Sequence, residues 1–237
     1  MRIITGRFGR RKLLTNPGQI TRPITDRVKE SLFQYILDEV VEARVADIFA
    51  GTGTLGLEAL SRGAHSVVFF EKDRKAAELL RKNVASLKCQ DETLCWQTDV
   101  TLTSFRPKNV EGFLPYSLVF FDPPYKMVPD IQNGSPLYKS LERLARPDVT
   151  ADDTLMLFRA PQRSIFEIPE YWTCERTVDY STMEVHWLRK VASKQIAEKT
   201  DDSIESGGEE MPDSGTVQAV RSNADTDDSS SDTGDET

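Results

Sequence analysis

The residues Asp122-Pro123-Pro124-Tyr125 close the apolar run Leu118–Phe121. Two adjacent prolines fix the backbone and lack an N–H, while their carbonyls stay available as acceptors. A carboxylate, a fixed carbonyl and an aromatic ring are therefore held together. That set suits an exocyclic amino group on a nucleobase. The nitrogen lone pair of such a group is delocalised into the ring, so it is a poor nucleophile. Asp122 and the Pro123 carbonyl can accept its two N–H bonds and help the nitrogen rehybridise. Tyr125 can stack on an unstacked base. Alone, the same tetrapeptide is also a turn that caps a strand.

A second constellation lies upstream, in Asp47-Ile-Phe-Ala-Gly51-Thr-Gly53-Thr-Leu-Gly56. Gly51, Gly53 and Gly56 spell the GxGxxG of a strand–loop–helix turn, and Glu71 follows Gly51 by twenty residues. Glycines let a ligand approach the backbone, and an acid at the next strand end can accept from ribose hydroxyls. The pattern alone permits a dinucleotide oxidoreductase. Asp47 shifts the balance, because a carboxylate before the first glycine repels a pyrophosphate and attracts a cation. S-adenosylmethionine carries a sulfonium and an ammonium and no phosphate. Asp99 ends a third apolar segment in the same manner and is placed to reach an adenine amino group. Alignment for in-line attack on the sulfonium methyl would then supply much of the rate.

These residues need a scaffold that brings strand ends together. Pro23 and Thr25 open a predicted helix whose apolar face is Val28, Leu32, Ile36 and Val40. Predicted strands cover Val45–Ala50, Ser66–Glu71, Thr93–Thr98, Leu118–Phe121 and Thr154–Phe158. Helices are predicted over Thr54–Arg62, Asp73–Leu87 and Leu137–Ala145, and a closing antiparallel pair over Thr173–Tyr180 and Met183–Arg189. Alternating strands and helices imply an α/β, mostly parallel sheet with both faces covered. Ligands of such sheets bind beyond the carboxyl ends of the strands. The segment Lys126–Ser135 is expected to be a lid.

The 237 residues carry 30 Lys+Arg and 38 Asp+Glu, a formal charge of −8. That figure argues against nucleic acid until its distribution is read. Residues 198–237 hold 13 acidic and 2 basic residues, whereas the first thirty hold 8 basic and 2 acidic. The expected organisation is a basic hairpin arm over 1–24, a catalytic domain over 25–193 and an acidic disordered tail over 194–237. In the arm, Ile3–Thr5 is expected to pair with Lys12–Leu14. No apolar run approaches the ~18–20 residues that span a bilayer. Cys89, Cys95 and Cys174 have no metal-ligand spacing and suit a reducing cytosol. No metal constellation is expected; His65, His186 and the three tryptophans read as structural.

Beyond these constellations the sequence resembles the RsmD family of bacterial 16S rRNA (guanine-N2)-methyltransferases, over roughly residues 1–190. The segments that carry the resemblance are Arg2-Ile-Ile-Thr-Gly6, Arg22-Pro-Ile-Thr-Asp26-Arg-Val-Lys-Glu-Ser-Leu-Phe33, Asp47–Gly53, Gly56-Leu-Glu-Ala-Leu-Ser-Arg-Gly-Ala64 and Asp122–Tyr125. It implies a Rossmann-like, seven-stranded S-adenosylmethionine-dependent methyltransferase sheet. Asp47, Phe49, Ala50, Gly51, Thr52, Gly53, Glu71, Lys72 and Asp99 would hold the cofactor. Asp122, Pro123, Pro124 and Tyr125 would hold the guanine. Arg2, Arg7, Arg10, Arg11, Lys12, Arg22, Thr25 and Arg27 would contact RNA, with the Arg22–Thr25 segment closing over the site. The implied partner is 16S rRNA in the small subunit or an assembly intermediate, met by a cytoplasmic monomer. A related DNA or other-RNA amino-group methyltransferase and a non-catalytic RNA-binding assembly factor remain as alternatives.

Overall fold

A computed structural model describes residues 1–15, 24–108, 112–192 and 218–220. Arg22 and most of the acidic tail lie outside the described residues. Helix α1 (Asp26–Tyr35) begins at Thr25, whose hydroxyl accepts from the Val28 amide. The apolar face predicted to run unbroken to Val40 bends at Ile36, which separates α1 from the short α2 (Leu37–Val40). Strand β1 (Arg44–Ile48) then leads through the glycine loop into α3 (Thr54–Ser61). β2 (Ser66–Glu71), α4 (Arg74–Leu87) and β3 (Thr93–Gln97) follow, with Asp73 capping α4 by accepting from the Ala76 amide. The chain continues through β4 (Tyr116–Phe121), α5 (Pro136–Leu144) and β5 (Thr150–Pro161). It ends in β6 (Phe166–Ile168), β7 (Trp172–Asp179), β8 (Met183–Lys190) and β9 (Gln218–Val220).

Seven strands form one sheet in the order β3-β2-β1-β4-β5-β8-β7. All neighbours are parallel except at β8, which runs antiparallel to both β5 and β7. This is the expected α/β sheet, and its order places the ends of β1 and β4 side by side. Alternate residues of the strands feed two cores, as the period-two pleat requires. Val45, Phe69, Phe120 and Leu157 pack on the face that carries α1, α3 and α4. Ala46, Phe70, Phe121 and Phe158 pack on the opposite face with Leu141 and Leu144 of α5. No helix among the described residues is long and apolar enough to cross a membrane.

Three expectations are corrected. The arm hairpin forms in another register than Ile3–Thr5 on Lys12–Leu14: Ile3 N–H donates to the Arg11 carbonyl and Leu13 N–H to the Met1 carbonyl, with Arg2 bridging Lys12, so Met1–Ile3 face Arg11–Leu13. The segment after Tyr125 is packed rather than loose, because Val128 and Ile131 are fully buried and the Ile131 carbonyl accepts from Glu167 N–H. β5 begins four residues before the predicted Thr154 and runs three past Phe158. Within the tail, the backbone of 218–220 pairs antiparallel with β6.

Candidate active site

β1 ends at Ile48 and the chain turns sharply. Phe49 takes a left-handed φ of 63°, uncommon for a bulky residue, and its ring meets Phe121 edge-on at 5.6 Å. Gly53 has φ 83°, and a Cβ there would lie 2.4 Å from Leu80, so only glycine lets the loop fold onto α4. Asn83 of α4, fully buried, donates to the Thr52 carbonyl and exchanges two hydrogen bonds with the Leu14 backbone. The glycine loop and the end of the N-terminal arm are thus clamped to one side chain.

The loop, the ends of β2, β4 and β5, and the arm enclose a cleft of about 420 Å³. Of the expected cofactor residues, Asp47, Phe49, Ala50, Gly51, Thr52 and Glu71 line it. All four residues from Asp122 to Tyr125 line it too, so the sheet order joins the two constellations. Gly53 lies behind the lining. Lys72 and Asp99 pair with each other at 2.6 Å outside the lining, and Asp99 also accepts from Thr101. The Lys72 ammonium, helped by Thr101, holds the Asp99 carboxyl down at about 2.

Three carboxylates therefore face one cleft. Asp47 is 2% exposed and accepts from the Gly56 amide at 2.9 Å. Burial pushes its carboxyl up to about 8, with Asp122 and Glu71 adding repulsion. Glu71 accepts from the amides of Gly51 at 2.7 Å and Asp73 at 2.6 Å, and burial raises its carboxyl as well. A cation drawn among these groups favours their ionised forms, whereas a pyrophosphate would keep them from ionising and gain nothing from them, which disfavours the dinucleotide reading.

At the β4 end, the Pro124 carbonyl is taken by the Met127 amide. The Pro123 carbonyl has no hydrogen-bond partner among the described residues. The Asp122 carboxylate meets a residue absent from the sequence expectations, Arg159 of β5, whose Nε lies 2.5 Å from Oδ1. Its guanidinium also lies over the Tyr125 ring, 5.6 Å from the centroid. The signal in the sequence was a lone cation directly after the apolar run Thr154–Phe158. Met1, Thr15, Ile24, Thr54 and Leu55 complete the lining and were also unforeseen.

The expected RNA contacts divide. Arg2 pairs with Asp26 at 2.7 Å and Arg7 with Glu92 at 2.6 Å, while Arg11 donates to the Ser86 carbonyl. Thr25 serves as the cap of α1. Arg10, Lys12 and Arg27 are exposed and have no side-chain partner among the described residues.

A Haemophilus influenzae protein named "Ribosomal RNA small subunit methyltransferase D" is 40% identical over 126 residues, 53% of this chain and 64% of that protein. The match thus spans less than two thirds of the relative. The solved structure of a "Putative methyltransferase yhhF" from Escherichia coli superposes with a TM-score of 0.67 at 30% identity, covering 81% of this chain and 99% of that one. An RNA methyltransferase from Salinibacter ruber in complex with S-adenosyl-L-homocysteine shares the fold, with a TM-score of 0.52 at 16% identity over 72% and 94% of the two chains. The sheet is thus the Rossmann-like methyltransferase fold. The family described as "Conserved hypothetical protein 95" matches residues 1–189, and the chain belongs to it, the RsmD family that its motifs resemble.

Proposed function

We propose that this chain transfers a methyl group from S-adenosylmethionine to the exocyclic N2 of a guanine in small-subunit rRNA, as a cytoplasmic monomer acting on the subunit or an assembly intermediate. One observation carries the reading. The Asp122 carboxylate and the unbonded Pro123 carbonyl share a cleft with Asp47 and Glu71. The excess of carboxylate fits a cationic, phosphate-free cofactor. Asp47 and Glu71 would hold its polar ends, with Phe49 to Thr52 along its length. Lys72 and Asp99 enter as a pair that fixes the loops after β2 and β3. When bound, the cofactor supplies an electrophilic methyl group.

The chain's own residues prepare the nucleophile. Asp122 and the Pro123 carbonyl accept the two N–H bonds of the guanine amino group. As the nitrogen gives up its lone pair to the methyl group, those protons become acidic, the carboxylate stabilises the growing charge, and one of the two protons is released from the nitrogen to leave the neutral N-methyl product. Tyr125 presents a ring against which an unstacked base can lie. The exposed Arg10, Lys12 and Arg27 would meet phosphates, which position the RNA without reading its sequence.

Tritium-labelled S-adenosylmethionine, incubated with unmethylated small subunits, naked rRNA and DNA, tests the reading. Label is expected in small-subunit rRNA, at guanine N2, and lost with Asp122→Ala. Label in DNA with none in rRNA would overturn the substrate. Retained transfer by Asp122→Ala would overturn the catalytic assignment.

A further inference from the structure

The family resemblance gives Arg159 no role, yet it is the one cationic side chain among the described residues lining a cleft that also holds Asp47, Glu71 and Asp122. It is 8% exposed and sits one residue from the end of the buried run of β5. Its Nε donates to Asp122 Oδ1 at 2.5 Å. Its Nη1 is buried and has no hydrogen-bond partner among the described residues. A guanidinium so placed is held by one bond to a carboxylate and keeps a desolvated donor beside it, an arrangement that is costly unless a ligand or water accepts from that donor. Asp122 Oδ2 has no partner among the described residues.

We propose that Arg159 is a positioning residue for Asp122: its guanidinium stands against the carboxyl and ties Oδ1, so that Oδ2 is left for the amino group of the target base. The proposal deepens the methyltransferase reading and rests on it for the identity of that amino group.

The physical need is plain. Burial of Asp122 disfavours its charge, and Asp47 lies close enough for the two carboxylates to repel. Burial is the larger effect and leaves the carboxyl above its ordinary range; Arg159 is the group that opposes the rise. Glu71 from β2 adds a third acid, and the Tyr125 ring, under the same guanidinium, completes the titratable surroundings. A protonated Asp122 would offer a donor where an acceptor is needed, and the amino group would lose one of its two partners. The ion pair also fixes which oxygen remains available, because Nε reaches only Oδ1.

The test is the titration of the Asp122 carboxyl carbon by NMR in protein carrying 13C-labelled aspartate, with the resonance assigned by Asp122→Asn. In Arg159→Gln the midpoint is expected to move up by at least about one unit, a tenfold loss of the ionised form at any pH below both midpoints. Arg159→Lys, which keeps a cation, is expected to move it less. The acid limb of the pH–rate profile for methyl transfer should shift in the same direction by the same amount, while affinity for S-adenosylhomocysteine stays unchanged. A midpoint in Arg159→Gln equal to that of the unmodified protein would overturn the proposal, as would a rate lowered equally at every pH. A tenfold loss of S-adenosylhomocysteine affinity at an unmoved midpoint would assign Arg159 to the cofactor instead. If the unmodified chain labels no nucleic acid, the methyltransferase reading fails, and the carboxyl titration still decides the role of Arg159.

Discussion

Burial carries the Asp47 carboxyl up to about 8, so at neutral pH it holds its proton when no cation is near. A cationic ligand favours the ionised form, and binding must then release a proton. Calorimetry of S-adenosylhomocysteine, whose ammonium remains, in two buffers of different ionisation enthalpy should show that release. Affinity should rise between about pH 6 and 8, by up to roughly tenfold per unit. Asp47→Asn should abolish the buffer dependence; heats identical in both buffers with the native residue would refute this account. The same shift bears on folding. A carboxyl whose folded value lies above its unfolded one favours the fold below the unfolded value and loses that contribution as pH rises through the folded one. Stability should therefore decline from about pH 4 to 8, and Asp47→Asn should flatten the decline in melting curves taken across that range.

At the scale of elements, the N-terminal arm and α3 form one unit. Glu58 of α3 is fully buried and accepts from the backbone amides of Ile4 at 2.7 Å and Thr5 at 3.1 Å. It also pairs with Arg62 at 2.9 Å and with Lys29 of α1 at 3.1 Å. Burial draws the Lys29 ammonium down, and Glu58 opposes that. Glu58→Gln would strand this buried cation at a cost of about 3–5 kcal/mol, visible in denaturant unfolding. A loss under about 1 kcal/mol would place the pair among interactions that contribute little. Ser61 completes the clasp, donating to the Thr5 carbonyl and accepting from Phe8 N–H. Gly6 has φ 85°, and a Cβ there would lie 1.8 Å from the Ser61 carbonyl oxygen. Gly6→Ala must lift the arm, at about 1–3 kcal/mol, and should weaken S-adenosylhomocysteine because Met1 and Thr15 leave the cleft wall. A variant that melts and binds as the native protein would show that the arm does not need this seat.

For the whole molecule, charge position matters more than the net −8. Several arm cations are already partnered within the chain, at its surface, by Asp26, Glu92 and the Ser86 carbonyl. If RNA meets this face, Arg10, Lys12 and Arg27 carry the phosphate contacts. Changing all three to Gln should reduce the slope of log affinity against log salt by about 2, measured by fluorescence anisotropy with rRNA fragments. An unchanged slope would remove the face from the interface. By charge alone, the acidic segment 198–237 would compete with RNA for that face. Truncation after Lys194 should raise RNA affinity at low salt and leave it unchanged at high salt, where the attraction is screened.

Local sequence determined the chemistry and the order of the elements. Asp122 to Tyr125 are adjacent, the glycine loop is contiguous, and strand and helix periods show within single segments, so neither needs a partner to be read. Even the junction of the two constellations followed from sheet order, since β1 and β4 must be neighbours in such a sheet. Only tertiary structure decided what each charge does. Arg159 meets Asp122 across 37 residues, and Glu58 meets Ile4 across 54. Sequence spacing carries no trace of such pairs, because they depend on strand registers and on how closely the arm seats against α3. The same holds for the arginines of the arm, which look alike in sequence and are separated into structural and free cations only by the carboxylates and carbonyls the fold brings beside them.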